Sequence, residues 1–153
     1  MAAFQIGEMG KPVVGIAPVD IGGAAKTSDY FSMINYNHVS ILVCCGAITN
    51  AATITVEESD DNAGSNTTAI GFDYYAIDGS GDTGDRTTAT SSGFSTGTTN
   101  NRIWVIEIDA ADLTDGYPYL VVKTTDAAAN VITVIPVLSG ARYKGDANPE
   151  VLT

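Results

Sequence analysis

Two stretches near the middle of the chain alternate apolar and polar side chains with a period of two, which constrains the fold more than any other feature. The first is His38–Cys45, whose apolar positions on one side are Val39, Ile41, Val43 and Cys45. In the second, Thr53–Glu58, Ile54 and Val56 alternate with Thr53, Thr55 and Glu57. Such alternation indicates β-strands with one face on a core. Because the link Gly46–Ala52 is short, the two strands are predicted to pair antiparallel.

The same kind of pattern recurs along the chain, and no stretch shows a sustained helical period. The further strand candidates are Val13–Ile21, Tyr30–Tyr36 (a short strand or a turn), Ala69–Ile77, Arg86–Thr90, Ile103–Asp109, Tyr119–Lys123 and Val131–Leu138. The last two are predicted to form a second hairpin. Phe94 is the only large apolar residue of the polar stretch from Asp78 to Asn101, so we expect it to anchor that excursion.

Seven or eight short strands separated by turn residues predict an all-β fold. The predicted architecture is a single-domain antiparallel β-sandwich of jelly-roll or related Greek-key type with extended termini. The domain is expected over residues 13–139, with an N-terminal arm at 1–12 and a C-terminal tail at 140–153. A chain of 153 residues buries roughly 70% of its unfolded surface, so it needs no disulfide or metal to fold.

The charge balance restricts the partners. Seven Lys and Arg residues stand against 18 Asp and Glu residues, which gives a net charge of −11. A chain this acidic repels nucleic acid and anionic membrane surfaces, so neither is an expected partner. A neutral, basic or protein partner is expected instead. The start of the chain lacks the basic flank and apolar run of a signal peptide, and no apolar run is long enough to span a membrane.

The reactive side chains do not form a recognisable catalytic motif. Cys44 and Cys45 are adjacent, so on a strand they face opposite sides and cannot form an ordinary disulfide. They are interpreted as reduced, buried thiols, which fits assembly in a reducing compartment. His38 is the only histidine, and the cysteines on its own strand lie too far along it for a dyad. It is therefore interpreted as an ordinary polar residue at the end of a strand.

Two acidic segments are candidates for functional sites. Asp78–Asp85 resembles a calcium loop, with Asp78, Ser80 and Asp82 at alternating positions, but it lacks the glutamate and glycine placement of an EF-hand. A solvated turn is the favoured interpretation. The pairs Glu57–Glu58 and Asp60–Asp61 offer the carboxylates that glycoside hydrolysis needs, yet neighbours on a strand point to opposite faces. No catalytic, cofactor-binding or metal-binding residue is predicted, and the chain is not expected to be an enzyme.

The aromatic side chains suggest one binding hypothesis. Five of them are candidates for the floor of a carbohydrate site, namely Tyr74, Tyr75, Trp104, Tyr117 and Tyr119. The alternative is that at least half of them fill the core or cap strand ends.

Several segments together resemble small acidic proteins of tailed bacteriophages and prophages. They are Thr27–Tyr36, His38–Val43, Ala69–Tyr75 and the stretch from Tyr117 to Tyr143. The chain resembles head decoration (cement) proteins in particular. This resemblance implies a β-sandwich on the outer surface of the virion, assembled in the host cytoplasm, that binds the major capsid protein as a dimer or trimer. It brings no catalytic residues.

The leading hypothesis is therefore a structural virion protein that decorates and stabilises a phage capsid. The alternatives are a sandwich module that binds carbohydrate or a host surface, and a structural component of a phage tail. The sequence leaves open the oligomeric state, the position on the capsid lattice, and which arm or loop binds.

Overall fold

The chain forms two antiparallel β-sheets, as predicted from its alternation pattern. The computed structural model describes residues 6–128 and 130–142. This part begins with a short helix, α1 (Ile6–Met9), and contains a 3-10 turn at Ala110–Asp112. Its strands, in chain order, are β1 (Gly10–Pro12), β2 (Ile16–Asp20), β3 (Lys26–Thr27), β4 (Phe31–Ser32), β5 (Tyr36–Cys45), β6 (Thr53–Ser59), β7 (Thr67–Ile70), β8 (Phe72–Ile77), β9 (Thr87–Ala89), β10 (Phe94–Ser95), β11 (Arg102–Asp109), β12 (Tyr119–Thr124) and β13 (Val131–Ala141).

The larger sheet has the strand order β1-β13-β5-β11-β8-β9, with β2 also paired to β13. The smaller sheet has the order β10-β6-β12-β3, with β4 paired to β12 and β7 paired to β6. All these pairings are antiparallel, and the two sheets pack face to face in an all-β sandwich. The four-residue α1 is the one α-helix of the described residues, and no helix there is long and apolar enough to cross a membrane.

The core lies between the sheets and is built from alternate residues of the long strands. On β5 the buried positions after Tyr36 are Val39, Ile41, Val43 and Cys45, as the alternation predicted. Ile54 and Val56 of β6 face them from the other sheet, and both are fully buried. On β11 the buried face carries Trp104, Ile106 and Ile108. Burial of these aliphatic side chains is the main source of stability.

The predicted pairing of the two central strands is wrong. β5 pairs with β11 and β13 in the larger sheet, whereas β6 pairs with β12, β7 and β10 in the smaller one. The link between them crosses from one sheet to the other instead of turning back. Ile48 of this link is buried in the core, and its backbone N–H donates to Asn100 Oδ1 at 2.7 Å. Burial of Ile48 therefore favours the crossing over a tight hairpin.

The predicted hairpin of Tyr119–Lys123 and Val131–Leu138 is wrong for the same reason. β12 belongs to the smaller sheet and β13 to the larger one. The link between them places Ala127 and Asn130 in the interior. The Asn130 side chain accepts the backbone N–H groups of Thr49 (2.8 Å) and Asn50 (3.3 Å), so it ties the two crossing links together.

The predicted strand Ala69–Ile77 is in fact two strands in different sheets. β7 ends at Ile70 in the smaller sheet, and β8 begins at Phe72 in the larger one. Gly71 lies at the crossing, where a Cβ atom would stand only 2.9 Å from the carbonyl oxygen of Ala89. A side chain at this position would force the two backbones apart, so only glycine allows this close approach.

The chain ends are only partly described. Of the predicted arm 1–12, residues 6–9 form α1, and residues 10–12 form β1 on the edge of the larger sheet, while residues 1–5 lie outside the described part. Of the predicted tail 140–153, residues 140 and 141 still belong to β13. Residues 143–153 lie outside the described part of the chain. Phe94 is buried, which confirms it as the anchor of the polar excursion.

Candidate functional site

The outward face of the larger sheet carries an apolar groove beside a polar cluster, and we call the two together the outer-face site. The groove has a volume of about 460 Å³. Strands β5, β8, β11 and β13 supply its apolar floor, and α1 adds a wall. Its apolar lining is Leu42, Ile77, Val105, Val137, Ile6 and Met9.

The helix α1 leaves apolar surface exposed beside the groove. Ile6 is 49% exposed and Met9 is 61% exposed, although both also line the groove. Gly10, the first residue of β1, directly follows α1 and packs closely against β13, where a Cβ atom would lie 2.9 Å from Val137 Cγ1. This close approach brings α1 over the sheet. Exposed apolar side chains next to an apolar groove are typical of a surface that contacts another molecule.

The polar end of the site is centred on Glu107 of β11. Its Oε2 atom lies 2.8 Å from His38 Nε2 and accepts a hydrogen bond from the Ser40 hydroxyl at 2.6 Å. Its Oε1 atom accepts a longer hydrogen bond, 3.3 Å, from the Tyr75 hydroxyl. Ser40 stands opposite Glu107 and His38 opposite Asp109 in the register of β5 and β11. The strand pairing therefore places all of these side chains on one face.

His38 lies between two carboxylates. Its Nδ1 atom is 2.6 Å from Asp109 Oδ1, in addition to the Nε2 contact with Glu107. Burial on its own lowers the pKa of His38, but the hydrogen bonds to Asp109 and Glu107 and their negative charges outweigh it. The net effect raises the pKa above the ordinary value of 6.5. Burial, followed by the charge of Glu107, likewise raises the pKa of Tyr75.

Ser40, His38 and Asp109 stand in the atom order of a Ser-His-Asp triad, but the hydrogen bonding does not suit that chemistry. Ser40 Oγ is 3.3 Å from His38 Nε2, whereas Glu107 is closer to both atoms. A triad needs an unprotonated Nε2 that accepts the serine proton. Here Nε2 lies 2.8 Å from Glu107 Oε2, and because a carboxylate only accepts hydrogen bonds, this contact favours a protonated Nε2 over a base directed at Ser40. Ser40 is also in the middle of a strand, where its backbone is committed to the sheet.

The two adjacent cysteines face opposite sides of β5. Cys45 is buried in the core and Cys44 is half-buried on the outer face, and both are free. Burial, with a smaller contribution from the neighbouring Cys44, raises the pKa of the Cys45 thiol to about 11. Burial also raises the pKa of Cys44. Neither thiol has the low pKa of a reactive cysteine.

The carboxylate of Asp78 stabilises the turn that follows it. Asp78 Oδ1 accepts the backbone N–H groups of Ser80 (2.8 Å) and Asp82 (3.1 Å). This is the local side-chain bonding that makes aspartate common in turns. Across residues 6–128 and 130–142, no group of three or more His, Cys, Asp or Glu side chains is placed to hold a metal ion.

The paired carboxylates of β6 and its following loop do not converge on a cleft. Glu57 points outward and forms an ion pair with Lys123 at 2.6 Å. Glu58 points inward, is only 2% exposed, and accepts the backbone N–H of Thr114 at 2.9 Å. Asp60 and Asp61 accept hydrogen bonds from within their own loop. Each carboxylate therefore has a local structural partner.

The five candidate aromatic residues do not come together on one surface. Tyr74 and Trp104 pack in the interior around Phe94, and the Tyr74 and Phe94 rings stack at 4.3 Å. Tyr75 is on the outward face of the larger sheet, where it contacts Glu107. Tyr119 belongs to the smaller sheet, and Tyr117 lines a separate cavity of about 340 Å³ on the loop before β12. The arrangement does not favour a carbohydrate platform.

Ser40, Glu107 and Asp109 were not predicted from the sequence as partners of His38. The two-residue spacings His38–Ser40 and Glu107–Asp109 were visible in the sequence, and each pair shares a strand face. Their meeting depends on the pairing of β5 with β11, which the predicted hairpin of β5 with β6 did not allow.

Comparison with known proteins identifies a fold relative. No protein-family model matches the chain, and no curated protein matches it. Among solved structures, the chain is similar to the crystal structure of the SPBc2 prophage-derived protein YomS, with a TM-score of 0.50 and 13% identity. The match covers 85% of this chain and 93% of that one. At this identity the likeness shows a shared sandwich fold.

Proposed function

We propose that this chain is a structural protein of a tailed-bacteriophage virion, which decorates the outside of the capsid and stabilises it by binding major capsid protein subunits. The observation that carries the proposal is the outer-face site, an apolar groove with exposed apolar side chains beside it. The fold that the chain shares with a prophage-derived protein supports a phage origin. The net charge of −11 suits a neutral or basic protein partner.

The outer-face site suits repeated binding on a symmetric shell. An apolar groove of about 460 Å³ accommodates a few side chains of a partner, so a single contact is expected to be modest. A decoration protein meets many identical subunits, and association as a dimer or trimer links several such contacts. Avidity then gives stable decoration from weak individual interactions.

The decisive experiment is co-sedimentation of the purified protein with expanded, empty capsids of the phage that encodes it. The wild-type protein is expected to sediment with the capsids. Leu42→Asp, which places a charge in the groove, is expected to lose binding. The matched control is Thr55→Asp, on the outward face of the smaller sheet, which is expected to bind like the wild type.

Two results would contradict the proposal. If the wild-type protein does not bind capsids, capsid decoration is wrong. If Leu42→Asp and Thr55→Asp bind equally well, the groove is not the contact surface. Labelling of intact particles then separates a head protein from a tail component, and analytical ultracentrifugation gives the oligomeric state.

A further inference from the structure

Charged groups surround His38 on the side that faces β11. Glu107 and Asp109 contact its ring directly, and Asp112 of the 3-10 turn lines the same small cavity of about 200 Å³. Asp73 of β8 and Arg86 of the β8–β9 loop line this cavity too, but they pair with each other at 2.9 Å. On the other side of His38 its register partner in β13 is Ser139, which carries no charge. Carboxylates therefore dominate the surroundings of the imidazole.

The geometry satisfies only the doubly protonated ring. A neutral imidazole has one N–H donor and one nitrogen with a lone pair. Because both ring nitrogens lie within 2.8 Å of a carboxylate oxygen, a neutral ring would direct that lone pair at a negative oxygen. The Ser40 hydroxyl already donates to Glu107, so its oxygen can only accept from Nε2. All the contacts fit an imidazolium.

We propose that His38, Glu107 and Asp109 form a proton-operated clasp that is closed while His38 is protonated, opens when His38 loses its proton, and sets the charge at the polar end of the groove. The inference that the clasp regulates partner binding rests on the proposed function.

The connection to the groove runs through Glu107 and Ser40, which line the groove as well as the cluster. In the closed clasp the Glu107 carboxylate is paired with the protonated His38 ring. The Glu107 side chain is only 15% exposed. When His38 loses its proton, the Glu107 carboxylate loses the cation with which it is paired among the described residues. Covering an unpaired charge with an apolar partner surface is unfavourable. An open clasp therefore weakens the binding of an uncharged, apolar partner surface.

The first test is an NMR titration of the free protein, in which His38 gives the only histidine signals. The titration midpoint is expected above 6.5, and below that midpoint both ring nitrogens are expected to show the ¹⁵N shifts of an imidazolium. Glu107→Gln and Asp109→Asn are each expected to lower the midpoint. Asp85→Asn, a change at an exposed carboxylate outside the cluster, is the control and should leave it unchanged. A wild-type midpoint at or below 6.5 would overturn the clasp.

The second test measures capsid co-sedimentation below and above that midpoint. The wild-type protein is expected to bind at least about threefold more weakly above the midpoint, because the proton on His38 is then lost and binding is linked to that proton. His38→Gln is expected to show no such pH dependence, and Asp85→Asn should keep it. Equal wild-type binding at both pH values would overturn the link to the groove. A raised midpoint with no capsid binding at any pH would instead support the clasp and reject the proposed function.

Discussion

The inner and outer faces of the strand pair β5–β11 are made by alternate residues of the same two strands, yet they differ in chemistry. The inner face carries Val39, Ile41, Val43, Ile106 and Ile108, all buried against the smaller sheet. The outer face carries the apolar groove around Leu42 and Val105 and the cluster around Glu107. The period of two thus separates the core face from the face that carries the groove, although Val105 at the floor of the groove is also buried. Substitutions on the two faces should therefore affect different measurements.

The largest expected effect is a loss of stability on the inner face. Ile106→Ala removes a fully buried side chain and leaves a cavity, so we expect the free energy of unfolding to fall by about 3 kcal/mol. Leu42→Ala, on the outer face, is expected to cost about 1 kcal/mol because its side chain is only half-buried. Urea denaturation followed by circular dichroism measures both. Equal losses would mean that the outer face also belongs to the core.

The same two strands show how much of the fold can be predicted from the sequence. Alternation shows which residues of β5 and β11 face inward, because that information is contained in each strand alone. It does not show which strands are neighbours. Those pairings depend on buried residues of the links, such as Ile48 and Asn130, whose contacts join positions far apart in the chain. The sandwich was therefore predictable and its hairpins were not.

The candidate site was hidden for the same reason. His38 was interpreted as an ordinary residue at a strand end, and locally that is what its surroundings indicate. Its two partners are 69 and 71 residues away in the chain. Only the antiparallel register of β5 and β11 brings them opposite each other. A site assembled by register cannot be found until the strand order is known.

The next effect in size concerns the buried polar residue of the interior. Asn130→Ala removes the acceptor of the Thr49 and Asn50 N–H groups, and we expect a loss of about 2 kcal/mol because these donors lose their partner. The matched control is Asn100→Ala, which removes one hydrogen bond, to Ile48, from an exposed side chain. It is expected to cost about 1 kcal/mol or less. Thermal unfolding of both variants measures the difference, and a larger loss for Asn100→Ala would contradict the assigned role of Asn130.

A smaller effect is expected from the outer-face cluster as the pH changes. The pKa of His38 is raised in the folded state, so its protonated form stabilises the fold. This contribution is fully present below the unfolded value near 6.5 and is lost as the pH rises through the raised folded pKa. The free energy of unfolding should therefore fall over that range by about 1 kcal/mol or less, as for other partly exposed ion pairs. His38→Gln should remove this component, whereas an unchanged pH profile in the variant would assign the change to other groups.

The two adjacent cysteines report the difference between the faces without any change in stability. Cys45 points to the inner face, and its pKa of about 11 leaves roughly one thiol in a thousand ionised at pH 8. Cys44 points to the half-buried outer face, where burial raises its pKa as well. Since the thiolate is the nucleophile, iodoacetamide is expected to label both slowly in the native protein and Cys45 far more slowly than Cys44.

Peptide mass spectrometry after timed labelling measures both rates, with Cys44→Ser and Cys45→Ser as single-thiol controls. Similar rates in the native state would mean that the interior opens as readily as the outer face, and denaturant should make the two rates equal only when the sandwich unfolds.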